Sequence, residues 1–220
     1  GSCYGWRVDH VYTSQAEIDA DNAMAQAKGF HYYQHEQTRV GDFRFKDLDG
    51  DGHVADDNSD MDILGDGFPT FNYGLNLTFN YKNWSLNAFI TGVFGNDVYN
   101  SQRAHYTSAQ MFSDGKNVLK EFLDNPGGDA SGSLPSDRFI EDGSFIRCNY
   151  SQLSYSLPQK TIKKWGLTQL SFYVSANNLF ILTKYSGADP EVGYGGYGVS
   201  ADNAQTPRSK QITGGVTIQF

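Results

Sequence analysis

Phe71-Asn72-Tyr73-Gly74-Leu75-Asn76-Leu77-Thr78-Phe79-Asn80-Tyr81 carries a large apolar or aromatic side chain at every odd position and a small or polar one at every even position. Strict alternation sends the two sets to opposite faces of an extended strand. The run of 11 residues suits a tilted membrane strand of about 9 to 11 residues better than a globular strand of about 5 or 6. Lys82-Asn83 then leaves room only for a tight turn, and Trp84 to Phe94 resumes as a second strand, which predicts a hairpin.

The same reading extends in both directions. A third strand is predicted from Phe145 to Leu157, with a parity slip near Asn149 and Tyr150 that a bulge explains, and Pro158 ends it. A fourth runs from Leu170 to Leu182, and a last from Lys210 to Phe220 with Ile212, Val216, Ile218 and Phe220 on one face. Cys3 to Tyr12 reads as a sixth, with Tyr4, Trp6, Val8, His10 and Tyr12 sharing a side. The fold class is therefore all-β: about six antiparallel strands of a transmembrane barrel that needs further strands to close, since about eight are required even for a filled barrel.

Connections alternate in length. They are long before residue 70, short at 82–83, long over 96–143, short at 158–168 and long over 183–209; the 96–143 stretch includes Asn125-Pro126-Gly127-Gly128 and Ser131-Gly132-Ser133. Membrane barrels have short periplasmic turns and long extracellular loops, which predicts a descending last strand and a periplasmic C-terminus. Aromatics gather at both strand ends, as two interfacial girdles require: Tyr81, Trp84, Tyr155 and Phe220 near the short turns, and Phe94, Phe145, Phe180 and Tyr185 near the long loops.

Composition agrees. No stretch approaches the roughly 18 apolar residues of a membrane helix, whereas barrel strands need only alternate, so overall hydropathy can stay low. The formal net charge of -8, with no basic patch denser than Lys160, Lys163 and Lys164, argues against nucleic acid as a partner. Cys3 and Cys148 are too few for a disulfide scaffold, and their pairing stays open. The first residues lack a signal peptide's charged head and apolar run, so an export signal is expected upstream. The competing reading is a secreted soluble β-sandwich that binds carbohydrate with a structural calcium, and beyond it an accessory domain of a hydrolase. A sandwich buries Phe71, Leu75, Leu77, Val216 and Ile218 against a second sheet; a barrel leaves them outward.

Four stretches carry a resemblance. They are Gly41-Asp42 through Asp47-Leu48-Asp49-Gly50-Asp51-Gly52; Pro69-Thr70-Phe71-Asn72-Tyr73-Gly74-Leu75-Asn76; Asp142-Gly143-Ser144-Phe145-Ile146-Arg147 running to Tyr155-Ser156-Leu157-Pro158; and Asn177-Asn178-Leu179-Phe180 with Thr183-Lys184-Tyr185 and Asp189-Pro190-Glu191. With Thr206-Pro207-Arg208 and the terminal strand, this order resembles the C-terminal region of SusC/RagA-type TonB-dependent outer-membrane transporters. The resemblance implies that residues 1–220 are the C-terminal portion of a plugged barrel of about 22 strands. Plug and TonB-contacting regions would precede residue 1. It further implies a SusD-type surface lipoprotein as partner, oligosaccharide or peptide as cargo, and the outer membrane of a Gram-negative bacterium as location. Thr213, Gly215, Ile218 and Phe220 in the last strand resemble the signal read by the outer-membrane assembly machinery.

Asp47, Asp49 and Asp51 before Gly52 reproduce the start of a calcium loop, in which oxygens at alternate positions converge on a hard cation. His53 would offer its backbone carbonyl, Val54 fits the apolar position that follows, and Asn58 stands where a bidentate Glu is usual. Asp56, Asp57 or Asp60 can compensate if the loop shifts register. His31 and His35 beside Glu36 lack a third zinc ligand and read as a loop pair. Glu141-Asp142 reads as a turn rather than an acid/base pair. No phosphate loop or nucleophile elbow is present, and an enzyme is not expected. Tyr194 and Tyr197, set among glycines, are candidates for contact with substrate or a partner protein.

Overall fold

The computed structural model describes residues 2–54, 58–124, 134–192 and 201–220. Its strands are β1 (Ser2–Trp6), β2 (Val8–Val11), β3 (Phe43–Phe45), β4 (Met61–Asp66), β5 (Phe71–Tyr81), β6 (Trp84–Phe94), β7 (Asp97–Tyr99), β8 (Ile140–Asp142), β9 (Phe145–Ser156), β10 (Gln169–Thr183) and β11 (Gln211–Gln219). Its helices are α1 (Gln15–Ala27), α2 (Ser101–Tyr106), α3 (Ala109–Ser113), α4 (Lys120–Asp124) and α5 (Gln159–Ile162). They form two compact units. One holds Pro69–Asn96, Gly143–Pro190 and Thr206–Phe220; the other holds Gly1–Phe68, Asp97–Asp142 and Glu191–Gln205.

The first unit is a five-stranded antiparallel sheet in the order β11-β10-β9-β6-β5. Its register decides what each face presents. Phe71 opposes Phe94, Leu75 opposes Ile90, and Phe79 opposes Leu86. Leu86 in turn opposes Leu153, which opposes Val174, and Phe172 lies between Tyr155 and Val216. Because opposed residues share a face, the apolar sets of all five strands fall on one side. The other side carries Asn72, Asn76, Asn80, Asn87, Gln152, Ser171, Thr213 and Thr217. The apolar side is not covered: Phe71 is 60% exposed, and Leu75, Leu77, Val216 and Ile218 are also exposed. A β-sandwich would bury that set, so the sandwich reading is set aside and the sheet is an open piece of barrel wall.

Local devices keep the register. The two-residue turn places Lys82 in the left-handed region at φ 52°. The predicted parity slip is a bulge: Asn149 lies between Cys148 and Tyr150, which oppose the neighbouring residues Ile90 and Phe89. On the facing strand the same interruption takes in Asn178, at φ 49°, and Leu179. Asn tolerates this conformation because its short polar side chain can hydrogen-bond nearby backbone. Aromatic rings lie over strand glycines, Tyr73 over Gly92 and Tyr173 over Gly215, leaving no room for a Cβ at either glycine and supplying the packing that glycine lacks.

Two expectations are corrected. Among the described residues the wall has five strands, not six: Cys3 to Tyr12 breaks at Arg7 into β1, paired with β4, and β2, paired with β3, in separate two-stranded sheets of the other unit. Trp6 is buried while Tyr4 is exposed, so they do not form one outward row. The girdle near the long connections is also thinner than expected. Phe145 opposes Val93 and Thr183 on the polar face and is 4% exposed, and Tyr185 is buried too. The long connections contain helices as well as loops.

On this arrangement Leu77→Arg, on the apolar face near the middle of β5, should destabilise the full-length protein in lipid vesicles by about 2–4 kcal/mol, whereas Asn76→Arg on the other face should cost under ~1 kcal/mol. Urea titrations in vesicles measure both, and equal effects would contradict the assignment of faces.

Candidate functional site

The acidic loop lies in the second unit and hangs from that unit's core. Val54 packs with Trp6, Ala25, Tyr33, Phe43 and Phe45, and its N–H donates to the Tyr33 carbonyl at 2.6 Å. Upstream, Phe43 and Phe45 are both buried in β3. The segment between them is thus fixed at both ends and bulges out as a tight loop. Asp47 shapes it, with one carboxylate oxygen accepting the Gly50 N–H and the other the Gly52 N–H, both at 2.7 Å. Asp49 accepts from Asp51 N–H at 2.9 Å and Asp51 from His53 N–H at 2.8 Å, each an Asx-type turn. Gly52 sits at φ 88°, where a side chain would be strained and would meet Lys28.

Carboxylate oxygens of Asp47, Asp49 and Asp60 converge to within 4.8 Å of one another. Asp60 is fully buried and accepts the Leu48 N–H at 2.7 Å. It brings in the additional carboxylate that the spacing left open. Asn58, at φ 73°, serves as a turn residue whose carbonyl accepts the Met61 N–H at 3.2 Å. Three carboxylate oxygens so close together form a donor set of the kind a hard divalent cation takes. Asp56 and Asp57 lie outside the described residues.

Beside the loop is a cavity of about 640 Å³ lined by Asp9, Met24, Lys28, Tyr33, Arg44, Lys46 and Leu48, among others. Lys28 donates to the Gly50 carbonyl at 2.9 Å, tying α1 to the loop. Arg44 forms the cavity's rigid wall. Its guanidinium stacks 4.4 Å from the Tyr33 ring centre and bonds Asp21 and Asp9. Burial alone would raise the Asp21 pKa, but hydrogen bonds from Arg44 and from the Tyr12 hydroxyl more than offset it and hold the carboxyl below its ordinary value. Burial pushes the Tyr33 hydroxyl up to about 12, and burial together with the Asp21 carboxylate raises Tyr12 further. No local signal marks this cavity, because its lining comes from β2, α1, β3 and the loop.

Other candidates separate. His31 and His35 follow the end of α1 rather than lying on a helix, and His35 Nδ1 accepts the Gln37 N–H at 3.1 Å. Glu141-Asp142 is not a turn but part of β8, and Glu141 accepts from Asn100 at 3.1 Å and Arg103 at 3.4 Å. Cys3 and Cys148 are free thiols. Tyr194 and Tyr197 lie outside the described residues. In the last strand Thr213 and Gly215 share the polar face, opposite Ser175 and Tyr173, while Ile218 opposes Leu170 on the apolar face and Phe220 is 90% exposed. Arg147, on the polar face of β9, pairs with Asp189, which lies 42 residues on, too far for any local pattern to join them, and which also accepts the Arg208 N–H at 3.4 Å. This pair ties both ends of the β10–β11 connection to the wall.

No protein-family model matches the chain. TonB-dependent receptor P26 of Formosa agariphila is 28% identical over 226 residues, covering 96% of this chain and 22% of the receptor. TonB-dependent receptor SusC of Bacteroides thetaiotaomicron is 28% identical over 217 residues, covering 94% of this chain and 21% of the receptor. Among solved structures, the RagAB peptide transporter superposes over 100% of this chain and 23% of its own, with a TM-score of 0.68 at 21% identity. The chain thus spans about a fifth of the length of the curated relatives it matches.

The Asp21 carboxylate stabilises the fold only while charged. Its folded pKa lies below the ordinary value of 3.8, so its contribution is complete above that value and is lost as pH falls through the folded pKa. Asp21→Asn should destabilise α1 and β3 by about 3 kcal/mol, because Arg44 keeps its burial and loses its main partner. It should also flatten the loss of stability below about pH 4. Hydrogen exchange of α1 amides as a function of pH reads both effects.

Proposed function

We propose that this chain, which resembles SusC/RagA-type TonB-dependent transporters along its length in sequence and in fold, forms the C-terminal wall of such an outer-membrane importer. The observation that carries the reading is the register: five long antiparallel strands place an uncovered apolar face on one side and an Asn-, Ser- and Thr-rich face on the other. The apolar face meets lipid and the polar face lines a wet interior; on the polar face Arg147 is buried in a neutralised pair with Asp189. The role is transport rather than catalysis. Cargo is a large nutrient, oligosaccharide or peptide; the peptide arm draws support from the RagAB likeness.

The long connections at one end of the strands then lie outside the cell, and the C-terminus lies in the periplasm. A SusD-type lipoprotein closes over the extracellular mouth, TonB acts through regions N-terminal to this chain, and the assembly machinery reads Thr213, Gly215, Ile218 and Phe220. Tyr194 and Tyr197 belong to the cargo- or lipoprotein-facing surface. The test is affinity purification of the full-length protein from outer membranes, with uptake of labelled peptides and oligosaccharides compared in cells that do and do not carry its gene. Co-purification of a lipoprotein and gene-dependent uptake of one cargo class are expected. Recovery in the soluble fraction would exclude the reading.

The acidic loop favours a second element, a structural calcium held by Asp47, Asp49 and Asp60, whose charge would draw the three carboxylates together and stiffen the loop. Asp51, His53 and Asn58 complete the loop as turn residues or through carbonyl oxygens. Calcium at about a hundredfold excess over its dissociation constant should stabilise the loop region by about 2.7 kcal/mol, and a chelator should remove this. Asp60→Asn should weaken calcium binding at least tenfold by calorimetry. Binding of neither calcium nor magnesium would argue for a plain Asp-Gly turn, and equal binding of both would make this a general divalent-cation site rather than a calcium site.

A further inference from the structure

Charge divides sharply along the chain. The sheet unit contains eight Lys and Arg but a single carboxylate side chain, Asp189, although the whole chain is acidic. Asp189 lies at the long-connection end, paired with Arg147. The short-turn end therefore has no acidic side chain, yet it carries Lys82, Lys160, Lys163 and Lys164. All four are exposed, and none makes an ion pair among the described residues.

These lysines stand on a stiff base. Ile162 is 1% exposed and anchors α5. Leu157 N–H donates to the Leu170 carbonyl at 2.8 Å, Thr168 N–H to Gln219 at 2.8 Å, and the Gln159 side chain to Thr168 at 2.6 Å. Gly166, at φ 71°, reverses the chain after the 3-10 turn Lys163–Trp165. The β5–β6 turn is fastened to the same edge, since Ser156 N–H donates to the Asn83 carbonyl at 2.9 Å and the Asn83 amide returns a bond to the Ser156 carbonyl at 2.7 Å. Beside the cations, Trp165 is 60% exposed, and Trp84 packs on Tyr155 with ring centres 4.8 Å apart.

We infer that this edge binds anionic phospholipid headgroups of the periplasmic leaflet, the lysines meeting phosphate and the aromatics sitting at headgroup depth. The inference rests on the barrel reading above. Lipid is favoured over an acidic protein because exposed Trp with flanking Lys, on the rim of an uncovered apolar face, is the composition a membrane interface selects. The lysine stems can lie along hydrocarbon while their ammonium groups reach the phosphates. Each basic residue near an anionic surface strengthens attraction about fivefold.

The experiment uses the full-length protein in nanodiscs of phosphatidylcholine with and without phosphatidylglycerol, with retained lipids counted by native mass spectrometry after gentle detergent release. Preferential retention of phosphatidylglycerol is expected. A Lys160→Gln, Lys163→Gln, Lys164→Gln triple variant should lower it at least tenfold, the corresponding Arg triple variant should keep it, and about 0.5 M salt should reduce it by screening. Equal retention of the two lipids, or no change in the Gln variant, overturns the inference, as does a Gln variant that loses binding of an acidic peptide instead of lipid. Failure of the full-length protein to sediment with outer membranes would sink the barrel reading itself; insertion without lipid preference sinks this inference alone.

Discussion

In hydrocarbon a backbone N–H finds no water, so every strand must be hydrogen-bonded to its neighbours along its full length. For the barrel wall proposed for this chain, that constraint makes register the quantity on which the sheet depends. With a side-chain period of two, a slip of one residue between two strands would move Leu75, Leu77 and Phe79 to the polar face and Asn76 and Asn80 to the apolar one. Here β5 and β6 pair without interruption from Phe71–Phe94 to Tyr81–Trp84. The only interruption between central strands is the bulge at Asn149, matched on the facing strand by Asn178 and Leu179. Since both strands absorb the irregularity at the same level, faces agree above and below it: Cys148 opposes Phe180 and Ser151 opposes Ala176.

This explains which parts of the fold could be read in advance. Long alternation, the two-residue turn, the bulge and the last strand are local signals, and each appears at the expected residues to within about one position. Cys3 to Tyr12 failed for a related reason. It alternates as far as Val8, but alternation does not say who the partner is. Arg7 turns the chain between two short sheets, its side chain bonded to Asp62 at 2.7 Å and its carbonyl to the Lys46 N–H at 2.9 Å. The helix α1 escaped notice because its buried positions are Ile18, Asp21 and Ala25. A carboxylate in the middle of the inward face erases the apolar period that marks a helix, and only Arg44 and Tyr12, distant in sequence, make that burial tolerable.

The acidic loop shows the same division between local and distant information. Asp47 and Asp49 could be picked out from their spacing and from Gly52, because the turn chemistry is local. Asp60 could be named only as one of several substitutes, since its approach depends on a return of the chain that no spacing rule specifies. Lys28 could not be named at all. Its bond to Gly50 arises because α1 and the loop share the Val54 and Tyr33 core, and the cavity beside them follows from that packing.

Charge placement joins these observations. Nine Lys and Arg stand with twenty-four Asp and Glu in the unit that holds the long connections, while the sheet keeps one carboxylate side chain. On the apolar face of the proposed wall an ionised carboxylate would be costly to desolvate, and that face carries none. Asp189 is present only together with Arg147, itself 3% exposed, and with the Arg208 N–H. Lysines at the short turns carry no such penalty, because a long stem lets the ammonium reach water or phosphate. The sheet unit thus keeps a basic short-turn rim, even though the chain as a whole is acidic.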